Sequence, residues 1–348
     1  SGDLTGILRE DAVSIARSAT VPDESTKLKG LARATKRAHS LGVTSIHDNG
    51  EAGDFAVYLD ALRAGKLGVR VWFNTPSSTL DSRIAMPLST GHGSDWLKLG
   101  GLKVFSDGAL GARTAAVSEP YQDDSGNRGM FVHERDELQR IVSKANNAGI
   151  QLAIHAIGDE GISLAISSLA AGLAENPRRD ARHRIEHLEL PHRSHLRDMH
   201  RLKIIASMQP NFVGEWGGPN GLYSARLGEK RAAMSNPFRD VLRARVRLVF
   251  GSDCMPFSPM YGIHSAVNAP YPAQRVSVAD AVEAYTRSAA FASFEEQVKG
   301  TITPSKLADL VVLSADPFSE SARMSSIRVV RTIIGGRVVF ERSATMRT

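Results

Sequence analysis

From residue 26 onward the apolar positions follow two alternating spacings. Leu28, Leu31, Ala34, Ala38 and Leu41 recur three and four apart, the stripe of a helix with one buried face. Gly42 follows as a C-cap, and Val43-Thr44-Ser45-Ile46-His47-Asp48 reads as a buried strand that ends in polar residues. The rhythm repeats, with strand-like runs at 69–74, 99–105, 150–154, 185–188, 204–208 and 247–250 and helical patterns at 55–64, 137–148, 162–173, 193–202 and 237–244. Strands alternating with helices predict a parallel sheet wrapped by helices, and seven of them predict a TIM-type (β/α) barrel. Residues 277–294 continue as a helix, with Val278, Ala281, Val282 and Tyr285 on one face. Beyond residue 298 the pattern changes to strands and turns, at 308–313, 329–334, Gly335-Gly336 and 338–340. The predicted organisation is a barrel domain over 1–298 and part of a small β-sandwich over 299–348.

Composition narrows the functional classes. An apolar content of 42% with 23% charged residues, in 348 residues, suits a globular chain with a large core. The net charge of +6 raises nucleic acid as a partner. The cations, however, are scattered through helical stretches such as 176–184 and 240–247, and aromatics at 6% are too few for stacking platforms, so solvated helix faces are the better reading. No apolar run approaches the ~20 residues that span a bilayer, and the first residues lack a signal-peptide layout. The single cysteine, Cys254, excludes an internal disulfide and fits a reducing compartment. These features predict a cytoplasmic protein whose partner is a small-molecule substrate, with neither nucleic acid nor membrane involved.

Candidate chemistry sits at the strand ends. His155, His187 and Asp253 each close an apolar run, in Ile-Gln-Leu-Ala-Ile-His, Arg-Ile-Glu-His and Leu-Val-Phe-Gly-Ser-Asp. In a parallel barrel such ends converge, and nitrogen and oxygen donors there suit a zinc-class ion with an open position for water. A lone histidine is more often a hydrogen-bonded core residue, but three such residues at equivalent places point to one site. Lys103 lies inside an apolar strand, where it must snorkel, pair with a carboxylate or lose its charge. Carbamylation, giving an anionic bridging ligand, and a salt bridge to Asp107 or Glu186 are equal alternatives. Asp107 and Arg113, on the loop after Lys103, either orient substrate or serve the turn. Trp216 lies in a glycine-rich loop, 211–223, that reads as a mobile flap over the substrate. His47 either lines the pocket or, as the favoured reading, makes a core hydrogen bond.

The string Lys-Val-Phe-Ser-Asp-Gly-Ala-Leu-Gly-Ala-Arg-Thr-Ala-Ala from Lys103, then Ile-His-Ala-Ile-Gly-Asp, Arg-Ile-Glu-His, Gly-Ser-Asp and the tail Gly-Thr-Ile-(x)4-Leu-Ala-Asp-Leu-Val-Val-Leu, resembles the amidohydrolase superfamily. Within it the likeness is closest to the YtcJ-like branch, which includes N-substituted formamide deformylases. The resemblance implies a distorted (β/α)8 barrel beside a small β-sandwich, with one or two divalent ions, zinc first, hydrolysing a non-peptide C–N bond. By motif, Lys103 matches a strand-four lysine that is carboxylated in many members, and His155 and His187 match the strand-five and strand-six ligands. Asp253 matches the strand-eight aspartate that binds metal and takes the proton of the attacking water, while His187 helps polarise the substrate carbonyl.

One departure stands out. The family's first strand carries His-x-His, which occurs nowhere in this sequence, and Leu4 to Glu10 resembles the middle of the family. The expectation is a barrel without its first strand, whose open edges are covered by a second copy or by a separate N-terminal chain. Two other functional readings follow, a catalytically silent, metal-poor barrel and a deaminase of a cyclic amidine.

Overall fold

The structure, a computed structural model, describes residues 22–319 and 321–343 together with Gly6 and Ala16. Strands β1 (Ser45–Asp48), β2 (Arg70–Pro76), β4 (Leu97–Phe105), β5 (Leu152–Ala156), β6 (Arg184–His187), β7 (Ile205–Met208) and β8 (Leu248–Phe250) pair in that order, each parallel to its neighbour. The two-residue β3 (His92–Gly93) adds an antiparallel flap to β4, which the sequence pattern did not announce. All seven anticipated strands are present in a curled parallel sheet, with β1 and β8 at its two ends. Apart from Gly6, the segment Leu4 to Glu10, on which the expectation of an absent first strand was based, lies outside the described residues.

Helices cover the outer face because alternate strand residues point there. Leu102 and Val104 of β4, Leu152 and Ile154 of β5 and Ile185 of β6 pack with Leu138 and Val142 of the helix Arg135–Asn147 and with Ile162, Ala165 and Leu169 of the helix Asp159–Glu175. Each of the buried leucine, isoleucine and valine side chains contributes about 1.5–3 kcal/mol by leaving water. The helix Glu24–Ser40 begins where the Asp23 carboxylate accepts the Thr26 N–H at 2.6 Å, and Gly42, at φ +79°, turns the chain into β1.

A bulge in β4 sets the register of the site. Phe73 pairs with Leu99 and Thr75 with Leu102, so three steps along β4 oppose two along β2. Gly100 and Gly101 occupy the bulge, where a Cβ would stand 2.4 Å from Trp72 Nε1 and 2.8 Å from the Gln151 carbonyl oxygen respectively. The extra residue changes the parity of the strand. Lys98 shares the inner face with its register partner Trp72, and beyond the bulge the inner positions become Lys103 and Phe105 while Leu102 and Val104 join the outer core.

The tail forms an antiparallel sheet in the order β11-β10-β9, from β9 (Leu310–Leu313), β10 (Val329–Ile334) and β11 (Arg337–Glu341). Gly335 and Gly336 both adopt positive φ, as a two-residue hairpin turn requires. Buried Asp309 accepts two hydrogen bonds from Arg70, at 2.6 and 3.1 Å, which tie this sheet to the start of β2. Two expectations are corrected. The helix anticipated over 277–294 breaks at Thr286 into Val278–Tyr285 and Arg287–Ala292. The supposed flap contains two short helices, Pro210–Trp216 and Leu222–Leu227, because Pro210 starts a helix readily at its first position and Gly217, Gly218 and Gly221 all fall between the two helices.

Candidate functional site

Strands β4, β5 and β6 deliver Lys103, His155 and His187 to one end of the sheet. Phe105, His155, Glu186 and Ser207 are register partners across four strands and form one inner layer. Strict alternation would then send His187 to the outer face. Instead His187 and Leu188 adopt φ of +75° and +50°, and the Leu188 N–H donates to the Ala156 carbonyl at 3.0 Å. This left-handed turn, which costs on the order of 1–3 kcal/mol, re-aims the imidazole so that its ring centroid lies 4.5 Å from that of His155. The Phe212 ring stacks on His187 at 6.0 Å and 10°, closing the other side.

Lys103 is 8% exposed, and its Nζ lies 4.2 Å from the centre of the Phe105 ring. Neither expected carboxylate is available to it. Asp107 accepts the N–H groups of Ala116, Ile157 and Gly158 at 2.8–3.0 Å, and Glu186 accepts the Arg184 guanidinium with both oxygens and the Ser207 hydroxyl at 2.8 Å. Among the described residues Lys103 has no ion pair within 4.0 Å. Burial lowers its pKa to about 8, against the opposing pull of the Glu186 and Asp253 charges. Burial likewise holds His155 and His187 below the usual imidazole range, with the Lys103 charge adding to the effect at both.

Asp253 stands apart from these three. It lies three residues beyond β8 in an exposed turn, with φ of +46° followed by +64° at Cys254. The turn is held from behind, where Asn211 Nδ2 donates to the Pro256 carbonyl at 2.6 Å and Asn211 Oδ1 accepts the Tyr285 hydroxyl at 2.9 Å. The Asp253 charge acts on both Lys103 and His187, so it borders the same site.

The remaining candidates do not line the open side of the site, although Asp107 Oδ1 stands 3.8 Å behind His155 Nε2. Asp107 is wholly buried, its three backbone hydrogen bonds pin the loop after β4 to the loop after β5, and burial pushes its carboxyl up to about 7. That burial removes it from the substrate-contacting positions expected from the sequence. Arg113 pairs with Asp123 through two hydrogen bonds of 2.8 and 3.0 Å, and Asp123 also holds Arg226, so its guanidinium fastens a surface loop. Trp216 packs on Phe212 at 4.7 Å, one ring removed from His187. His47 Nδ1 accepts a hydrogen bond of 2.8 Å from Arg184, the core role favoured for it.

Sequence reasoning passed over Phe105, Arg184, Glu189 and Gln209. Phe105 is 44% exposed and its ring lies 5.0 Å from His155. Glu189 is buried, and burial pushes its carboxyl up to about 7. Gln209 follows β7 at the strand-end position that singled out the histidines, and that was the available signal. Among the described residues no three His, Cys, Asp or Glu side chains converge as a ready-made ligand set. Two imidazoles supply two neutral donors, and the third inner residue is a lysine.

Comparisons with known proteins bear on the fold and on the family. The chain is similar to the Arabidopsis thaliana protein LONG AFTER FAR-RED 3 (32% identity, 98% of this chain and 62% of that protein), to Bacillus subtilis YtcJ (29%, 99% and 67%) and to the N-substituted formamide deformylase of Arthrobacter pascens (27%, 99% and 67%). It thus spans about two thirds of their length. A crystal structure of an uncharacterized metal-dependent hydrolase from Pyrococcus furiosus superposes with a TM-score of 0.79 at 28% identity, over 90% of this chain and 66% of that one. A model of the amidohydrolase family matches residues 1–340, so the strand-end lysine and histidines belong to a sheet of that lineage, and the chain is a member of the amidohydrolase family.

Proposed function

We propose that the chain carries the site of a metal-dependent hydrolase acting on a non-peptide C–N bond of the amide or formamide type. One observation carries this reading: Lys103 is buried beside two imidazoles with no carboxylate to neutralise it. An ammonium group in that position opposes a cation. A neutral amine there can add to carbon dioxide, forming an N–C bond and releasing one proton, and the resulting carbamate is the anionic donor that the two imidazoles lack. The donor set fits a divalent ion, zinc first, only in that form, with His155 and His187 as nitrogen ligands. Asp253 completes the margin of the site.

A bound ion of this class supplies a water of lowered pKa and polarises a carbonyl oxygen. The chain's own residues do the rest. Asp253, an exposed carboxylate at the mouth, accepts the proton of the attacking water. Phe105 offers an apolar wall next to His155, suited to the hydrocarbon part of an N-substituted amide. The deformylase activity named for the Arthrobacter relative makes N-substituted formamides the first substrates to try. We place the protein in the cytoplasm, acting on a small-molecule substrate.

The test measures bound metal and hydrolysis of N-substituted formamides, with and without chelator and with and without bicarbonate. Activity that depends on both is expected. Turnover indifferent to chelator would sink the proposal. A second reading, a metal-poor and silent barrel, is supported by the absence of three converging His, Cys, Asp or Glu side chains among the described residues. Stoichiometric metal with turnover would exclude it.

A further inference from the structure

His187 has two ring nitrogens, and only the one without a proton can donate a lone pair to a metal ion. Which nitrogen that is depends on what the other one meets. Here Nδ1 lies 2.8 Å from Gln209 Oε1. Gln209 directly follows β7 and caps the helix Pro210–Trp216, its carbonyl accepting the Phe212 N–H at 3.1 Å, so its backbone is fixed between two elements. The residue is 5% exposed, so its side chain has little room to turn.

The orientation of the amide follows from its second contact. Gln209 Nε2 faces the Ser207 carbonyl at 3.4 Å, a partner that can only accept. A flipped amide would set two oxygens against each other there and would turn an N–H toward the imidazole. Gln209 therefore accepts, and His187 Nδ1 donates. The His155 ring, 4.5 Å away, is held in the opposite sense: its Nε2 lies 3.0 Å from the Gly108 carbonyl oxygen, again an acceptor only, which leaves Nδ1 free. The two imidazoles offer different nitrogens to the space between them. For His155 the lock is backbone, which no substitution at residue 108 removes. For His187 it is one side chain, placed on the neighbouring strand end.

Resting on the reading of His187 as a metal-facing residue, we propose that Gln209 is its positioning residue, holding the Nδ1-protonated tautomer and keeping Nε2 as the nitrogen available to a divalent cation. Partners of this kind, one bond behind a ligand, fix both ring orientation and tautomer, and their loss typically weakens metal binding by about 10–100-fold. Gln209→Leu removes the acceptor at similar volume, whereas Gln209→Glu keeps it.

Two measurements test this. In the chelator-treated protein labelled with 15N-histidine, with His187→Gln to assign the signal, His187 is expected to carry its proton on Nδ1. A proton on Nε2 in the unsubstituted protein overturns the proposal without any metal being present. Zinc affinity, read by competition with a chromophoric chelator, is expected to fall about 10–100-fold in Gln209→Leu and to stay within about threefold in Gln209→Glu. Equal affinity of Gln209→Leu and the unsubstituted protein also overturns it. If the unsubstituted protein takes up no zinc, the hydrolase reading fails, and the histidine spectra still decide the role of Gln209.

Discussion

Two ends of the same sheet interior treat a buried lysine in opposite ways. At the strand starts, Lys98 and Lys299 share Glu295, at 2.9 and 2.7 Å, and Lys299 adds a contact of 3.3 Å to the Ser45 hydroxyl. At the strand ends, Lys103 has an aromatic face and no carboxylate within 4.0 Å among the described residues. A buried charge left unpaired is costly, and the first arrangement avoids that cost by conventional pairing. The second leaves the lysine poised to give up its proton. The difference teaches where the fold spends its stability and where it keeps reactivity, and the boundary between the two ends is the Gly100-Gly101 bulge.

The largest expected effect comes from removing the unpaired lysine. Lys103→Met should lower kcat/KM on an N-substituted formamide by at least about 10²-fold without destabilising the metal-free protein near neutral pH, because no ion pair is lost and an unpaired buried charge is removed. Stopped assays and denaturant melts on the same preparation check both halves. A large loss of stability would show that Lys103 is paired after all and would erase the contrast.

The lower end should respond in the reverse sense. Glu295→Gln leaves buried Lys299 and half-buried Lys98 without their shared carboxylate and should destabilise the fold by about 3 kcal/mol, read as a shift in urea midpoint. The boundary can be moved by Gly100→Ala. Its Cβ would stand 2.4 Å from Trp72 Nε1, and the expected cost is about 1–3 kcal/mol, together with displacement of Lys103 and reduced metal uptake.

A pH profile sharpens the comparison further. Lys103 titrates near 8 in the folded chain, and an unperturbed lysine near 10.5, so between those values the unfolded chain binds more protons. In carbon-dioxide-free, chelator-treated solution, the stability of the unsubstituted protein should therefore rise with pH from about 8 to about 10.5 relative to Lys103→Met. A flat difference between the two proteins across that interval would contradict the burial argument. The smallest effect is expected at Arg113, whose solvent-screened pair with Asp123 fastens a surface loop, so Arg113→Ala should leave turnover within about twofold. A marked rise in KM would return Arg113 to the substrate site.

The seven strands, five of the helices between them and the strands of the tail were legible in the chain, because fully buried strands read as short apolar runs and half-buried helices carry a period of 3.6, whereas the short helices Leu80–Ala85, Glu229–Met234 and Pro259–Val267 were not. The strand-end positions of His155 and His187 were legible for the same reason. What lay beyond the sequence were features that break a period or depend on a distant partner. The bulge that turns Lys103 inward, the left-handed backbone that brings His187 beside His155, the three backbone donors that occupy Asp107 and the amide of Gln209 behind His187 each depend on groups tens of residues apart meeting at hydrogen-bond range. A local pattern records which face a residue prefers. Which buried charge finds a partner, and which is left without one, is settled only when the strands are side by side.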